Sequence, residues 1–316
     1  MRTSCTSHCA SRVAAVTMLL TVAAANWSDR GALAAETDPI ADIATRDSKQ
    51  ALPSSLGIGF LWTKQSETVA ARLATNRDFV DLILGPGNIQ IIQQVKPPVR
   101  VVCICQGLTR TPDRPFPGVK ETVGMLKAAK VDPTRIVIGY NPERAPGTTK
   151  EELDNLLDSV KQAHGIASDY GADLLVGPGL REMGQHEHLY PELAKHCELW
   201  LIQSQRLQMD AATREGFTPE EYRPKVKTIV DRLRQGNPGI RVVVQIIAGR
   251  DSAHQRFKVG EIAAYSRAIE DLADSVRIYG GSPDLLNGVL DELRGPLPAP
   301  AVPGSRTAGK LGGGDR

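Results

Sequence analysis

From Gly57 onward, short apolar runs bounded by Gly, Pro or Asn alternate with longer stretches whose apolar residues recur at helical spacing. The short runs predict strands at Gly57 to Trp62, Phe79 to Leu84, Val99 to Gln106, Arg135 to Tyr140, Ala172 to Gly177, Leu199 to Gln205, Ile240 to Ala248 and Ser275 to Tyr279. The longer stretches predict helices at Thr63 to Thr75, Asn88 to Val95, Gly118 to Lys130, Thr149 to Ser168, Leu189 to His196, Thr218 to Gln235, Val259 to Leu272 and Ser282 to Leu293. Thr149 with Glu152, and Thr218 with Glu221, have the spacing of a capping box, which supplies acceptors to the free amides of a first turn. Asp132-Pro133, Tyr170-Gly171 and Asn237-Pro238-Gly239 end helices just before strands.

Strictly alternating strands and helices imply a parallel sheet with crossover helices. Eight such units fill the length of a single (β/α)₈ TIM barrel, here residues 54–294. A doubly wound sheet would place a Gly-rich dinucleotide turn after the first strand, where this chain reads Trp62-Thr63-Lys64. The second unit is the thinnest, because Gly85-Pro86-Gly87 and Pro97-Pro98 leave little room for a helix. Ahead of the barrel runs a polar lead, 35–53, and after it a Pro/Gly-rich tail, 295–316, with almost nothing to bury.

Residues 1–34 combine Arg2 and Arg12, an apolar run from Val13 to Ala25, and Ala32-Leu33-Ala34, the three parts of a secretory signal peptide. The run is short for a membrane span, although an uncleaved N-terminal anchor is the alternative. No later stretch is long and apolar enough to cross a bilayer, so an exported protein, periplasmic or extracellular, is expected. Cleavage after Ala34 removes Arg2, Arg12, Arg30 and Asp29 and leaves basic and acidic residues in balance. That neutrality argues against nucleic acid as a partner. Cys103, Cys105 and Cys197 remain; the first two share one strand face, a poor geometry for a bridge, and three buried thiols are expected, with a bridge to Cys197 left open. No Cys-x-x-Cys pattern is present, and no cofactor is implied.

In a TIM barrel functional groups lie at the carboxyl ends of the strands, around a shared mouth. The exits offer Trp62, Gln106, Tyr140-Asn141-Pro142-Glu143, Glu182, Gln203, Gln205, Gln245 with Arg250 and Asp251, and Tyr279. Glu143 is the sharpest candidate for a general acid, because a partly desolvated carboxyl holds its proton nearer neutrality. A surface ion pair with Arg144 or Arg181 is its structural alternative. Gln203 and Gln205 alternate on one strand face, where their amides can donate to and accept from hydroxyls or simply fill the upper barrel. Trp62 and Tyr279 could stack on sugar faces, though tryptophans near strand ends more often pack in cores.

The run Ile138-Gly139-Tyr140-Asn141-Pro142-Glu143, with Leu201-Ile202-Gln203-Ser204-Gln205 and Asn237-Pro238-Gly239, resembles a group of secreted bacterial TIM-barrel proteins similar in layout to chitinase-like glycoside hydrolases. The resemblance covers roughly residues 136–279. It implies a carbohydrate or other small polar ligand, with Glu143 in the place of the strand-four proton donor. The resembled pattern has a second acid two positions earlier, where this chain carries Asn141. Two-acid hydrolysis would need Glu182, Asp251 or Asp284 as the second carboxylate; a substrate-assisted route would need only the donor, with Asn141 or Gln205 orienting the sugar's own amide. Two alternatives stay open: a barrel that binds a sugar or small ligand without turnover, and an enzyme for a phosphorylated substrate that uses Gly249-Arg250 and Gly280-Gly281-Ser282. Gln185-His186-Glu187-His188 lacks the i, i+4 histidine spacing of a zinc helix, and no metal is expected.

Overall fold

The computed structural model describes residues 54–110, 116–144, 147–210, 215–249 and 256–296. The proposed signal peptide, nearly all of the polar lead, the tail beyond Pro296, and Arg250 with Asp251 lie outside the described residues.

Eight parallel strands close into a ring in sequence order: β1 (Gly57–Leu61), β2 (Phe79–Leu82), β3 (Arg100–Cys105), β4 (Ile136–Tyr140), β5 (Asp173–Val176), β6 (Leu199–Gln203), β7 (Arg241–Ile247) and β8 (Ser275–Tyr279). The seam is β1 on β8, with Gly57 opposite Ser275 and Phe60 opposite Ile278. Because side chains alternate across a strand, every strand serves two cores. The outward residues, among them Ile58, Phe60, Val80, Ile138, Trp200, Val244 and Ile278, pack under the helices. The inward residues Phe79, Val102, Ile104, Val137, Leu175, Leu199, Leu201 and Val243 fill the ring. Gly59 permits this filling, since a Cβ there would stand 2.1 Å from the ring of Phe79.

The helices follow the predicted order, shorter than expected at Asn88 to Val95, Leu189 to His196 and Val259 to Leu272, with two further differences and one addition. The helix expected at Thr63 to Thr75 shrinks to a 3₁₀ turn at Lys64–Ser66 and α1 (Glu67–Ala70). The cause is Asp78, whose buried carboxylate accepts the N–H groups of Ala74 and Thr75, each at 2.9 Å, and pulls that segment out of helical hydrogen bonding. After α2 (Ile91–Gln94) and α3 (Val119–Ala128), the helix expected at Thr149 to Ser168 breaks at Asn155 into α4 (Lys150–Asp154) and α5 (Leu156–Ser168). Glu152 turns inward there, accepting from Leu108 N at 3.0 Å and from the Tyr140 hydroxyl at 3.1 Å. The addition is α6 (Leu180–Gln185), which begins immediately after Gly177-Pro178-Gly179. Then come α7 (Tyr190–Leu193), flanked by 3₁₀ turns, α8 (Pro219–Gly236), α9 (Val259–Ala268) and α10 (Pro283–Arg294).

Thr149 and Thr218 cap α4 and α8, accepting from Glu152 N and Glu221 N; Glu221 returns a bond to Thr218 N at 2.8 Å. Asp78 also ties the seam: it accepts from Ile58 N at 2.8 Å and pairs with Arg294, which donates to Leu56 O at 3.0 Å. Cys103, Cys105 and Cys197 are buried free thiols, and burial pushes Cys105 up to about 12.

Candidate functional site

The carboxyl ends of β4, β5 and β6 bring the main polar group together. Gly139 faces the ring interior, so two residues on Asn141 does too, and Pro142 leads from it to Glu143. The loop is fixed by Thr148, whose hydroxyl oxygen accepts Glu143 N at 2.9 Å and whose O–H donates to Gln106 O. Asn141 Nδ2 donates to Glu143 Oε1 at 2.7 Å. Gln203, the last residue of β6, places Nε2 2.7 Å from Glu143 Oε1, 3.2 Å from Asn141 Oδ1 and 3.1 Å from Gly177 O. One oxygen of Glu143 is therefore held by two side-chain amides.

Glu182, in the first turn of α6, is the carboxylate nearest to hand. An atom at the Cβ position of Gly179 would stand 2.5 Å from Glu182 Oε2 and 3.2 Å from Glu143 Cγ, so the absent side chain of Gly179 is the gap the two acids share. Glu182 is 4% exposed and its Oε1 lies 3.3 Å from Arg144 Nε. Burial pushes the Glu143 carboxyl above the usual carboxylate range; Gln203 and Arg277 pull it down, Glu182 adds to the rise, and Asn141 pulls it down again.

Below this group lies an ion pair on the inner face. Arg277 of β8 places Nε 2.5 Å from Asp81 Oδ2 of β2, with side chains 8% and 1% exposed. Burial raises the Asp81 carboxyl even against the guanidinium. Gln203, Gln245 and Arg277 are register neighbours on β6, β7 and β8, so the upper interior of the barrel is polar where the lower interior is apolar.

Among solved structures the chain is similar to the catalytic domain of a family GH18 chitinase from the fern Peteris ryukyuensis, at 10% identity and a TM-score of 0.50, over 75% of this chain and 99% of that one. The barrel shares its fold with glycoside hydrolases. Further similar structures are the PgaB (BpsB) glycoside hydrolase domain from Bordetella bronchiseptica, at 10% identity and TM-score 0.47 over 77% and 99%, and a β-mannanase from Thermomonospora fusca, at 10% and 0.45 over 73% and 78%. No family model and no curated protein matches the chain. At such identity the likeness is one of fold.

Of the residues singled out in the sequence, the structure gathers Glu143, Asn141, Gln203 and Glu182. Gln245 and Tyr279 share the inner face with Arg277, at its level and one step toward the mouth. Gln106 lies beside the Glu143 loop, its Oε1 buried and without a hydrogen-bond partner, and Gln205 Oε1 is in the same condition. β6 ends at Gln203, however, so Gln205 belongs to the following turn rather than to the strand face expected for it. Tyr140 is a correction: it is fully buried in the outer layer, its hydroxyl on Glu152, facing the helices instead of the mouth. Trp62 is also redirected, packing against the same outer core as Phe60. Asp284 is exposed on the first turn of α10, and Ser282 caps that helix itself, accepting from Leu285 N at 3.2 Å.

Asp81 and Arg277 were missed. Their signal was a lone charge at an inward position of an otherwise apolar strand, Phe79-Val80-Asp81-Leu82 and Ser275-Val276-Arg277-Ile278. Among the described residues no three His, Cys, Asp or Glu side chains are grouped to hold a metal, and no helix is long and apolar enough to cross a membrane.

Proposed function

We propose that this chain is an exported glycoside hydrolase-like enzyme whose barrel mouth holds a carbohydrate and in which Glu143 is the general acid. The observation that carries the proposal is the Glu143 carboxyl itself: desolvated enough to keep its proton above the usual range, beside a second carboxylate, and at a strand exit. In the reaction the Glu143 proton passes to the glycosidic oxygen as the bond to the anomeric carbon breaks, and the bonding pair leaves with that oxygen. The carboxylate left behind is stabilised by the N–H groups of Asn141 and Gln203 and by Arg277, all three of which favour the charged form.

Glu182 shares the wall and the gap of Glu143 and discourages its ionisation; Asp81 is committed to Arg277. Asp251, another candidate for a second carboxylate, lies outside the described residues. A substrate-assisted course, in which an amide oxygen of the sugar attacks the anomeric carbon, asks only the Glu143 proton donor of these described acids. Asn141, with both polar ends engaged by Glu143 and Gln203, is a positioning residue in this scheme.

The test is Glu143→Gln across a panel of glycans with and without a 2-acetamido group. Turnover should fall about 10²- to 10⁴-fold while glycan affinity stays within a factor of about two, and only acetamido sugars should be cleaved. The competing reading, a barrel that binds sugar without cleaving it, is supported by the two amide donors on Glu143 Oε1, since they favour the carboxylate. Binding with no turnover by the unmutated chain would establish it. Export is tested by mass spectrometry of the secreted product, which should begin at Ala35.

A further inference from the structure

At the end of the barrel opposite Glu143, the ring opens into a cavity of about 170 Å³. Its floor is the underside of the inner core: Phe79, Val102, Val137, Leu199 and Val243. Its rim is different in kind. Arg77, Arg100 and Arg241 line it together with Asn76 and Ser275.

Charge on this rim is unbalanced. Arg100 Nη1 and Arg241 Nη2 both donate to the same oxygen of Asp173, Arg100 at 2.7 Å. Burial would raise the Asp173 carboxyl, but the two guanidiniums outweigh it and hold it below the usual range, so it stays an anion. Asp78 is paired with Arg294, and Asp274 Oδ2 accepts Val242 N at 2.9 Å. With Arg294 included, four guanidiniums meet three carboxylates, leaving one positive charge in excess. Arg100 Nε is buried without a hydrogen-bond partner, although Nη2 of the same side chain donates to Ile136 O at 3.0 Å. A second cavity, lined by Asn76, Thr134 and Gly171 among others, also has Arg100 and Arg241 in its lining, so both side chains border two open spaces.

We propose that this opening is a binding site for a small carboxylate with an apolar body, its carboxylate on Arg100 and Arg241 and its hydrocarbon part on the apolar floor. Each half of the site excludes a different alternative. A bare inorganic anion satisfies the arginines but leaves the floor uncovered. A neutral hydrocarbon covers the floor but leaves the excess charge where it was. The volume suits one ring or a short branched chain, given that an aliphatic cavity of about 150 Å³ takes up benzene. Arginine's planar fork matches a carboxylate, and such charge-assisted bonds are the strong ones.

The test uses the whole chain and benzoate as probe, at low ionic strength, read by calorimetry or by chemical shifts. Benzoate should bind saturably, and benzamide, of the same shape without the charge, about tenfold to a hundredfold more weakly. Arg241→Gln should weaken benzoate by a similar factor; Arg241 is partly exposed and Arg100 keeps Asp173 paired, so the melting temperature should change little. Inorganic phosphate should displace benzoate only at concentrations far above benzoate's own. Absence of saturable binding, equal affinity for benzamide, indifference to Arg241→Gln, or phosphate competing on equal terms would each overturn the proposal. None of these readouts depends on glycan turnover.

Discussion

Gly179 shows how narrow the chemistry is at the level of single atoms. A methyl group there would come within 2.5 Å of Glu182 Oε2 and 3.2 Å of Glu143 Cγ, so Gly179→Ala must separate the acids. Its φ of −57° is open to alanine, so the backbone is not strained. Glycan turnover should drop by about tenfold or more, the loss expected when a reacting group shifts by about an ångström, while the melting temperature changes little. Kinetics alongside a melting curve distinguish this from unfolding. The pH dependence follows from the raised Glu143 carboxyl: its acid form is the active one, so the rate should fall as pH rises through its elevated value. Because the folded state binds that proton more tightly than the unfolded state does, the associated stability is present below the ordinary carboxylate range and is lost over the same rise.

At the level of elements, the strands were legible because a parallel strand buried on both faces must be apolar along its length, and breakers at each end set its limits. Every predicted strand is present to within two residues at either end. The helices were less legible for reasons that lie outside their own segments. Asp78 ends the first helix early, and the inward turn of Glu152 splits the fourth, through partners 44 and 12 residues away in Leu108 and Tyr140. The helix α6 was hidden by Gly-Pro-Gly, which reads as a turn although its last glycine begins a helix. The site was half legible. Position at a strand exit singled out Glu143, Asn141 and Gln203, but that Asp81 of β2 finds Arg277 of β8 depends on ring closure. A helix whose start was visible offers a direct check: Thr218→Ala removes the hydroxyl that accepts Glu221 N, leaves the Thr218 N–H on the Glu221 carboxylate, and should cost about 1 kcal/mol in chemical denaturation.

For the whole molecule, stability against acid should depend strongly on Asp78. Burial opposes its charge, yet Arg294 and the N–H groups of Ile58 and Ala74 outweigh burial and hold the carboxyl below the usual range. Its folded value is thus lower than its unfolded one, near 3.9. The stability it supplies is complete above that range and is lost as pH falls through the depressed value. Asp78→Ala should lower the unfolding free energy by about 3–5 kcal/mol at neutral pH, because it strands Arg294 and three backbone amides. A urea titration repeated at successive acid pH values should show the mutant's dependence flattened relative to the unmutated chain. The Asp78–Arg294 tie has a temporal side as well. The aspartate leaves the ribosome long before its arginine does, and β1 has no β8 to pair with until nearly the whole barrel has been translated. Ring closure is therefore a late event in synthesis, set by the sequence distance between the first strand and the last.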